Sequence, residues 1–114
     1  MTTFAQGEIF GRKIDNLPDG LEAFNDTQKG AFIISHSESG HHHLLGDEGV
    51  TVLEKKTDVP TGMRILYAIV KQPTRLFQDA AKPHDAHDLD AGLYEFRIVR
   101  EFDPISEQAR RVAD

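Results

Sequence analysis

The most apolar run in this sequence is Arg64-Ile65-Leu66-Tyr67-Ala68-Ile69-Val70. Its β-branched and aromatic side chains favour a strand that is buried in the middle of a sheet. Gln72-Pro73 ends the run, because proline has no amide hydrogen with which to continue a ladder. The run therefore predicts the central strand of a β-rich core.

Shorter strands separated by turns lie on both sides of this run. The clearest turn is Asn16-Leu17-Pro18-Asp19-Gly20, and Gly46-Asp47-Glu48-Gly49 is a second tight connection. The predicted strands are residues 5–14, 31–36, 50–54 and 93–102, with a further short strand over 74–78. Turn signals at roughly eight- to twelve-residue spacing are typical of an antiparallel β-barrel or β-sandwich.

The hydrophobic pattern changes from a strand period to a helix period within the last quarter of the chain. In the last predicted strand Tyr94, Phe96 and Ile98 share one face, and Glu95 and Arg97 share a charged outer face. Asp103-Pro104 then resembles a helix N-cap followed by proline at the first helical position, so residues 103–113 are predicted to form a helix. The predicted architecture is one domain over residues 1–114, mainly β, with a short C-terminal α-helix.

The composition excludes several classes of function. The 114 residues carry a formal net charge of −6, which disfavours nucleic acids and anionic membranes as partners. The chain has no cysteine, so disulfides, thiolate catalysis and cysteine-ligated zinc are excluded. The N-terminal residues resemble no signal peptide, and no apolar run has the length of a transmembrane helix. We expect a cytoplasmic or virion-associated protein.

Half of the six histidines are consecutive, in Gly40-His41-His42-His43-Leu44. In a strand, side chains alternate between faces, so His41 and His43 would point the same way and His42 the other. Two imidazoles at this spacing can bind one metal ion. The alternative is a solvated turn next to Gly40.

A second pair of histidines, His84 and His87, is the expected source of further ligands, with His36, Asp47 and Glu48 in reserve. The predicted metal ligands are therefore His41, His43, His84 and His87. Imidazole ligation suits zinc, iron, nickel or copper better than magnesium or calcium. Three ligands would leave a position open for water, whereas four would form a structural site.

The histidine pattern resembles that of cupins, which carry a His-x-His motif on one strand and another histidine much later, inside a small β-barrel. This resemblance implies a metalloenzyme. The sequence departs from it where Ser35 replaces the glycine that precedes the motif, and where no Pro-x-Gly precedes His84. Asp47 is the nearest counterpart of the acid that follows the motif.

The order of short motifs resembles an uncharacterised group of small β-rich proteins of bacteria, phages and prophages. The matching segments are Gln6-Gly7-Glu8, Gly40-His41-His42-His43, His84, Gly92-Leu93-Tyr94, Arg100-Glu101-Phe102 and Arg110-Arg111-Val112-Ala113-Asp114. The resemblance implies that His41, His43 and His84 are the recurrent histidines, and it implies a virion or phage-accessory role.

From these observations we expect a histidine-rich metal-binding β-domain with a structural or accessory role, no assigned catalytic residue, and protein partners or self-assembly. The first alternative is a cupin-like metalloenzyme with an open metal position. The second is an assembly or interaction module that binds no metal.

Overall fold

The computed structural model of the protein describes residues 3–36, 41–79 and 86–99. Within these ranges the chain forms eleven strands in two antiparallel sheets, and it forms no helix. The helix predicted for residues 103–113 lies outside the described residues, as does His84. No helix in the described part is long and apolar enough to span a membrane.

The strands are β1 (Thr3–Gln6), β2 (Ile9–Ile14), β3 (Leu21–Ala23), β4 (Thr27–Gln28), β5 (Ala31–Ser35), β6 (His43–Gly46), β7 (Val50–Lys55), β8 (Met63–Val70), β9 (Thr74–Gln78), β10 (His87–Leu89) and β11 (Gly92–Val99). The six-stranded sheet has the order β1-β2-β11-β8-β7-β3. The five-stranded sheet has the order β10-β9-β6-β5-β4. The central position predicted for the Arg64–Val70 run is confirmed, because β8 lies between β11 and β7.

The two sheets pack face to face. One buried cluster combines Leu66, Phe96 and Ile98 of the six-stranded sheet with Ile34, Leu45 and Leu76 of the five-stranded sheet. Each of these six side chains has no exposed surface. The described residues thus form a sandwich rather than a closed barrel, which decides between the two predicted architectures.

The strand predicted over residues 5–14 is wrong in one respect, since it is a hairpin of β1 and β2. Gly7 has φ of 57°, and Gln6 pairs with Ile9, so Gly7-Glu8 is a two-residue connection. Glycine adopts positive φ without the steric cost of a side chain, which makes a tight reversal possible here. This correction moves Glu8 from a strand into a turn.

The loop predicted over residues 79–90 also contains a strand. β10 pairs with β9 at the edge of the five-stranded sheet, with His87 opposite Leu76. It faces the edge of the other sheet, because the His87 Nε2–H donates to the Ala5 carbonyl oxygen at 3.0 Å. The His87 ring also packs on Phe4, with ring centroids 5.1 Å apart. His87 therefore joins the two sheets along one side of the sandwich.

Phe4 lies directly over Gly11, its cross-strand partner in β2. A Cβ atom on Gly11 would lie 2.1 Å from Phe4 Cζ. The Phe4 ring has little room to move, because it also packs against the rings of Phe96 and His87. The centroids of the Phe4 and Phe96 rings are 6.0 Å apart. The absence of a side chain at Gly11 is therefore required for the packing of Phe4.

We expect Gly11→Ala to lower the free energy of unfolding by about 1–3 kcal/mol, the usual cost of overpacking. Urea unfolding followed by circular dichroism measures the loss. The same substitution in a Phe4→Leu background should cost clearly less, because the smaller side chain can yield. An equal cost in both backgrounds would contradict this packing.

Candidate functional site

His43 is the most buried of the histidines that the structure describes. It is the first residue of β6 and is 2% exposed. His41 and His42 precede the strand, so the predicted placement of His41 and His43 on one strand face is not what the structure shows. In β6, His43 and Leu45 face the core between the sheets, whereas Leu44 belongs to a second apolar cluster with Ile33.

A β-bulge places Ser35 beside His43. The pairing of β5 with β6 shifts between Ile33 and Ser35, so Ser35 rather than Ile34 is opposite His43. A bulge inserts one extra residue and redirects the side chain that follows. Ser35 is consequently 1% exposed at the end of a strand whose four other residues are all apolar.

Gln6 fixes the orientation of the His43 ring. The Gln6 Nε2–H donates to the Leu76 carbonyl oxygen at 3.1 Å, and the Gln6 Oε1 lies 2.8 Å from His43 Nδ1. Because a carbonyl oxygen only accepts, the amide nitrogen of Gln6 must point to Leu76 and its oxygen to His43. His43 Nδ1 therefore carries a proton and donates it to Gln6.

Glu8 contacts the other side of the ring. Its Oε2 lies 3.4 Å from His43 Nε2, and its Oε1 accepts a hydrogen bond from Ser35 Oγ at 2.5 Å. The Glu8 side chain is 34% exposed, whereas that of His43 is 3% exposed. We call Gln6, Glu8, Ser35 and His43 the His43 cluster. Its carboxylate connects a buried imidazole to solvent.

The other predicted ligands have separate partners. His41 is exposed, and its Nδ1–H donates to the Asp79 carbonyl oxygen at 2.9 Å. His36 Nε2 lies 2.5 Å from Asp26 Oδ2. The His36 ring also packs on the His42 ring, with their centroids 4.7 Å apart. Asp47 and Glu48 follow β6 at the end opposite His43.

Within the described ranges, no three histidine or acidic side chains are grouped so as to hold a metal ion. One of the four predicted ligands, His84, lies outside these ranges. The metal site predicted for His41, His43, His84 and His87 therefore stays a prediction. What the structure adds is Glu8, Gln6 and Ser35, which the histidine spacing alone does not indicate.

The His43 cluster does not have the arrangement of a nucleophilic site. Ser35 donates to Glu8, and Glu8 lies between Ser35 and His43. A serine–histidine pair requires that the hydroxyl contact the imidazole directly. The hydrogen bond of Ser35 goes to the Glu8 carboxylate instead, so the described contacts are not those of a serine–histidine pair.

A second polar cluster lies on the outer face of the six-stranded sheet. Glu95 was predicted on a charged outer face, and it is 3% exposed there. Its carboxylate accepts hydrogen bonds from Arg12 Nε at 3.0 Å, Arg97 Nε at 2.9 Å and Tyr67 Oη at 3.0 Å. Burial raises the pKa of Glu95, but these hydrogen bonds lower it by more, so the pKa lies below its ordinary value.

An open depression of about 680 Å³ adjoins Glu95. Its lining residues in the described part of the chain include no histidine; they are Thr3, Phe4, Ala5, Phe10, Gly11, Arg12, Glu95 and Arg97. Both arginines are engaged with the same carboxylate, so their two positive charges are balanced by one negative charge, and both arginine side chains remain about half exposed. The buried hydrogen bonds of Glu95 therefore stabilise the sheet by joining β2, β8 and β11.

These features define a small antiparallel β-sandwich domain with a buried imidazole–carboxylate cluster. The chain belongs to the family described as domain of unknown function DUF8820, which it matches over residues 5–99. That range includes the whole His43 cluster and the second half of β1. No curated protein and no solved structure matches the chain significantly.

We expect Glu95→Gln to be less stable than the wild type at pH 7, and the difference to shrink in acid. A carboxylate with a lowered folded-state pKa stabilises the fold above its unfolded pKa of about 4.3, and this contribution is lost as pH falls through the folded-state value. Urea unfolding between pH 7 and pH 3 measures the difference. Glu22→Gln, at an exposed position of β3, is the control and should follow the wild type. Parallel curves for wild type and Glu95→Gln would contradict the assignment.

Proposed function

We propose that this chain is a non-enzymatic metal-binding β-sandwich domain, with a structural or accessory role of the phage or prophage type. The observation that carries the proposal is the orientation of His43 by Gln6. The phage role is supported by the order of motifs from Gln6-Gly7-Glu8 to Gly40-His41-His42-His43.

His43 has the surroundings of a metal ligand. Metal-binding histidines commonly donate their second ring N–H to a protein oxygen, which fixes the tautomer and makes the other nitrogen a better ligand. The Gln6 amide oxygen has this role for His43, at 2.8 Å from Nδ1. Gln6 is itself fixed by the Leu76 carbonyl and is 2% exposed. The ligand atom of the proposed site is then His43 Nε2.

Two other predicted ligands have similar hydrogen bonds. His41 Nδ1–H donates to the Asp79 carbonyl, and His87 Nε2–H donates to the Ala5 carbonyl. Each bond leaves the lone pair on the opposite ring nitrogen. We propose His84 as the partner of His43. His41 and His87 are less direct candidates, because no three histidine or acidic side chains of the described residues are grouped so as to hold a metal ion, and because His87 joins the two sheets. A first-row transition ion such as zinc, iron, nickel or copper suits these ligands.

The structural role is preferred to the cupin-like enzyme for one reason. The described strands form two separate sheets, whereas a cupin has a small barrel.

An interaction module that binds no metal is the second candidate. It is favoured by Phe10 and Val99, which are 52% and 40% exposed. They lie on the same face of neighbouring strands, because Phe10 is paired with Arg97 and Val99 is two residues further along β11. Such a patch supports protein partners or self-assembly. If the protein binds no metal, this is the function that we propose instead.

We expect about one equivalent of a transition metal per chain in protein that is purified without an affinity tag. His43→Gln should retain less than about a tenth of it, because the buried ligand atom is lost. Elemental analysis measures the content, and circular dichroism checks that the variant is folded. His36→Ala, which removes an exposed histidine bound to Asp26, is the matched control and should keep its metal.

Melting curves with and without a chelator complete the test. A structural metal should raise the melting temperature of the wild type, and chelation should remove that gain, whereas His43→Gln should not respond. The proposal fails if the wild type contains no metal after growth in metal-supplemented medium, or if His43→Gln binds as much as the wild type.

A further inference from the structure

We infer that Glu8 is a carboxylate ligand of the same ion, so that His43 Nε2 and Glu8 Oε2 form one edge of a mixed nitrogen–oxygen metal site. The inference rests on the proposed function and deepens it. It assigns a ligand that lies in the first hairpin turn and that is absent from the histidine pattern.

The proton positions around His43 support this assignment. Because Gln6 donates to Leu76, its oxygen must accept from His43 Nδ1–H. In a neutral imidazole the lone pair is then on Nε2, and this atom faces the Glu8 carboxylate. Two acceptors repel each other at this distance. A positive charge at Nε2, either a proton or a metal ion, makes the contact favourable.

The distance favours a metal ion over a proton. The 3.4 Å between His43 Nε2 and Glu8 Oε2 is long for a charge-assisted hydrogen bond, which is usually about 2.7–2.9 Å. Two ligand atoms that are each about 2.0–2.1 Å from a tetrahedral ion are about 3.3–3.4 Å apart. The two side chains therefore already have the separation that a shared ion requires.

Glu8 is also held in a fixed position. Ser35 Oγ donates to its Oε1 at 2.5 Å, which directs Oε2 towards His43. Its backbone carbonyl accepts from the Val99 amide at 3.0 Å, which ties the turn to the end of β11. Orientation of a carboxylate ligand by a second hydrogen bond is typical of metal sites. Ser35 is accordingly a positioning residue.

The exposure of the two side chains gives the ion a route into the site. His43 is buried, but about a third of the Glu8 side chain faces solvent. An ion can thus bind the carboxylate first and then reach the imidazole. One nitrogen and one oxygen ligand suit a divalent first-row transition ion, and Zn²⁺ is the appropriate probe.

The test is a titration of the full chain with Zn²⁺ in competition with a chromogenic chelator. We expect Glu8→Gln, which keeps the size of the side chain and one acceptor oxygen for Ser35 but removes the anionic ligand, to weaken Zn²⁺ binding by about 100-fold. Ser35→Ala should weaken it by about tenfold, as the loss of an orienting group does. Glu48→Gln, at an exposed turn, is the control and should bind as the wild type. Visible absorption of the Co²⁺-substituted protein should change in Glu8→Gln, which a purely structural role for Glu8 would not cause.

The outcomes separate the inference from the proposed function. If Glu8→Gln binds Zn²⁺ as tightly as the wild type while His43→Gln does not, the assignment of Glu8 is wrong and the histidine site stands. If the wild type binds no Zn²⁺, both the proposed function and the assignment of Glu8 fail. Circular dichroism of each variant establishes that it is folded.

Discussion

The hydrogen bond from His43 Nδ1 to the Gln6 amide oxygen is the interaction on which the candidate site depends. It joins the first strand of one sheet to the middle of the other across 37 residues, and both partners are 2% exposed. A buried polar group without a hydrogen-bond partner lowers the stability of the fold by about 1–3 kcal/mol. The hydrogen bond between these two side chains therefore stabilises the packing of the two sheets at this end of the sandwich. Their pairing also orients His43 Nε2 towards Glu8.

Much of the sheet structure could be predicted from the sequence. Apolar runs identified β5 and β8, because a strand that is buried on both faces leaves a continuous hydrophobic pattern. The turn at Gly7 and the short strands could not be predicted in this way. A glycine within a strand can also mark a bulge, so Gly7 alone does not indicate a turn, and the three residues of β10 are a strand only because β9 pairs with them.

The site was predictable only in part, since the histidine run indicated His43 but none of its described partners. Ser35 reaches the cluster through a bulge, and Gln6 and Glu8 reach it through the packing of one sheet on the other. Neither is a local property of the sequence. Glu95 shows the same limit, because alternation placed it on the outer face while its burial under Arg12 depends on the pairing of β2 with β11.

The most direct test of the account is the protonation of the His43 ring, observed by long-range ¹H–¹⁵N correlation spectra. We predict a proton on Nδ1 both without metal and with one equivalent of Zn²⁺, and a displacement of the Nε2 resonance alone when the ion is added. A ring that carries its only proton on Nε2, and whose spectrum does not change with Zn²⁺, would contradict both the role of Gln6 and the metal site.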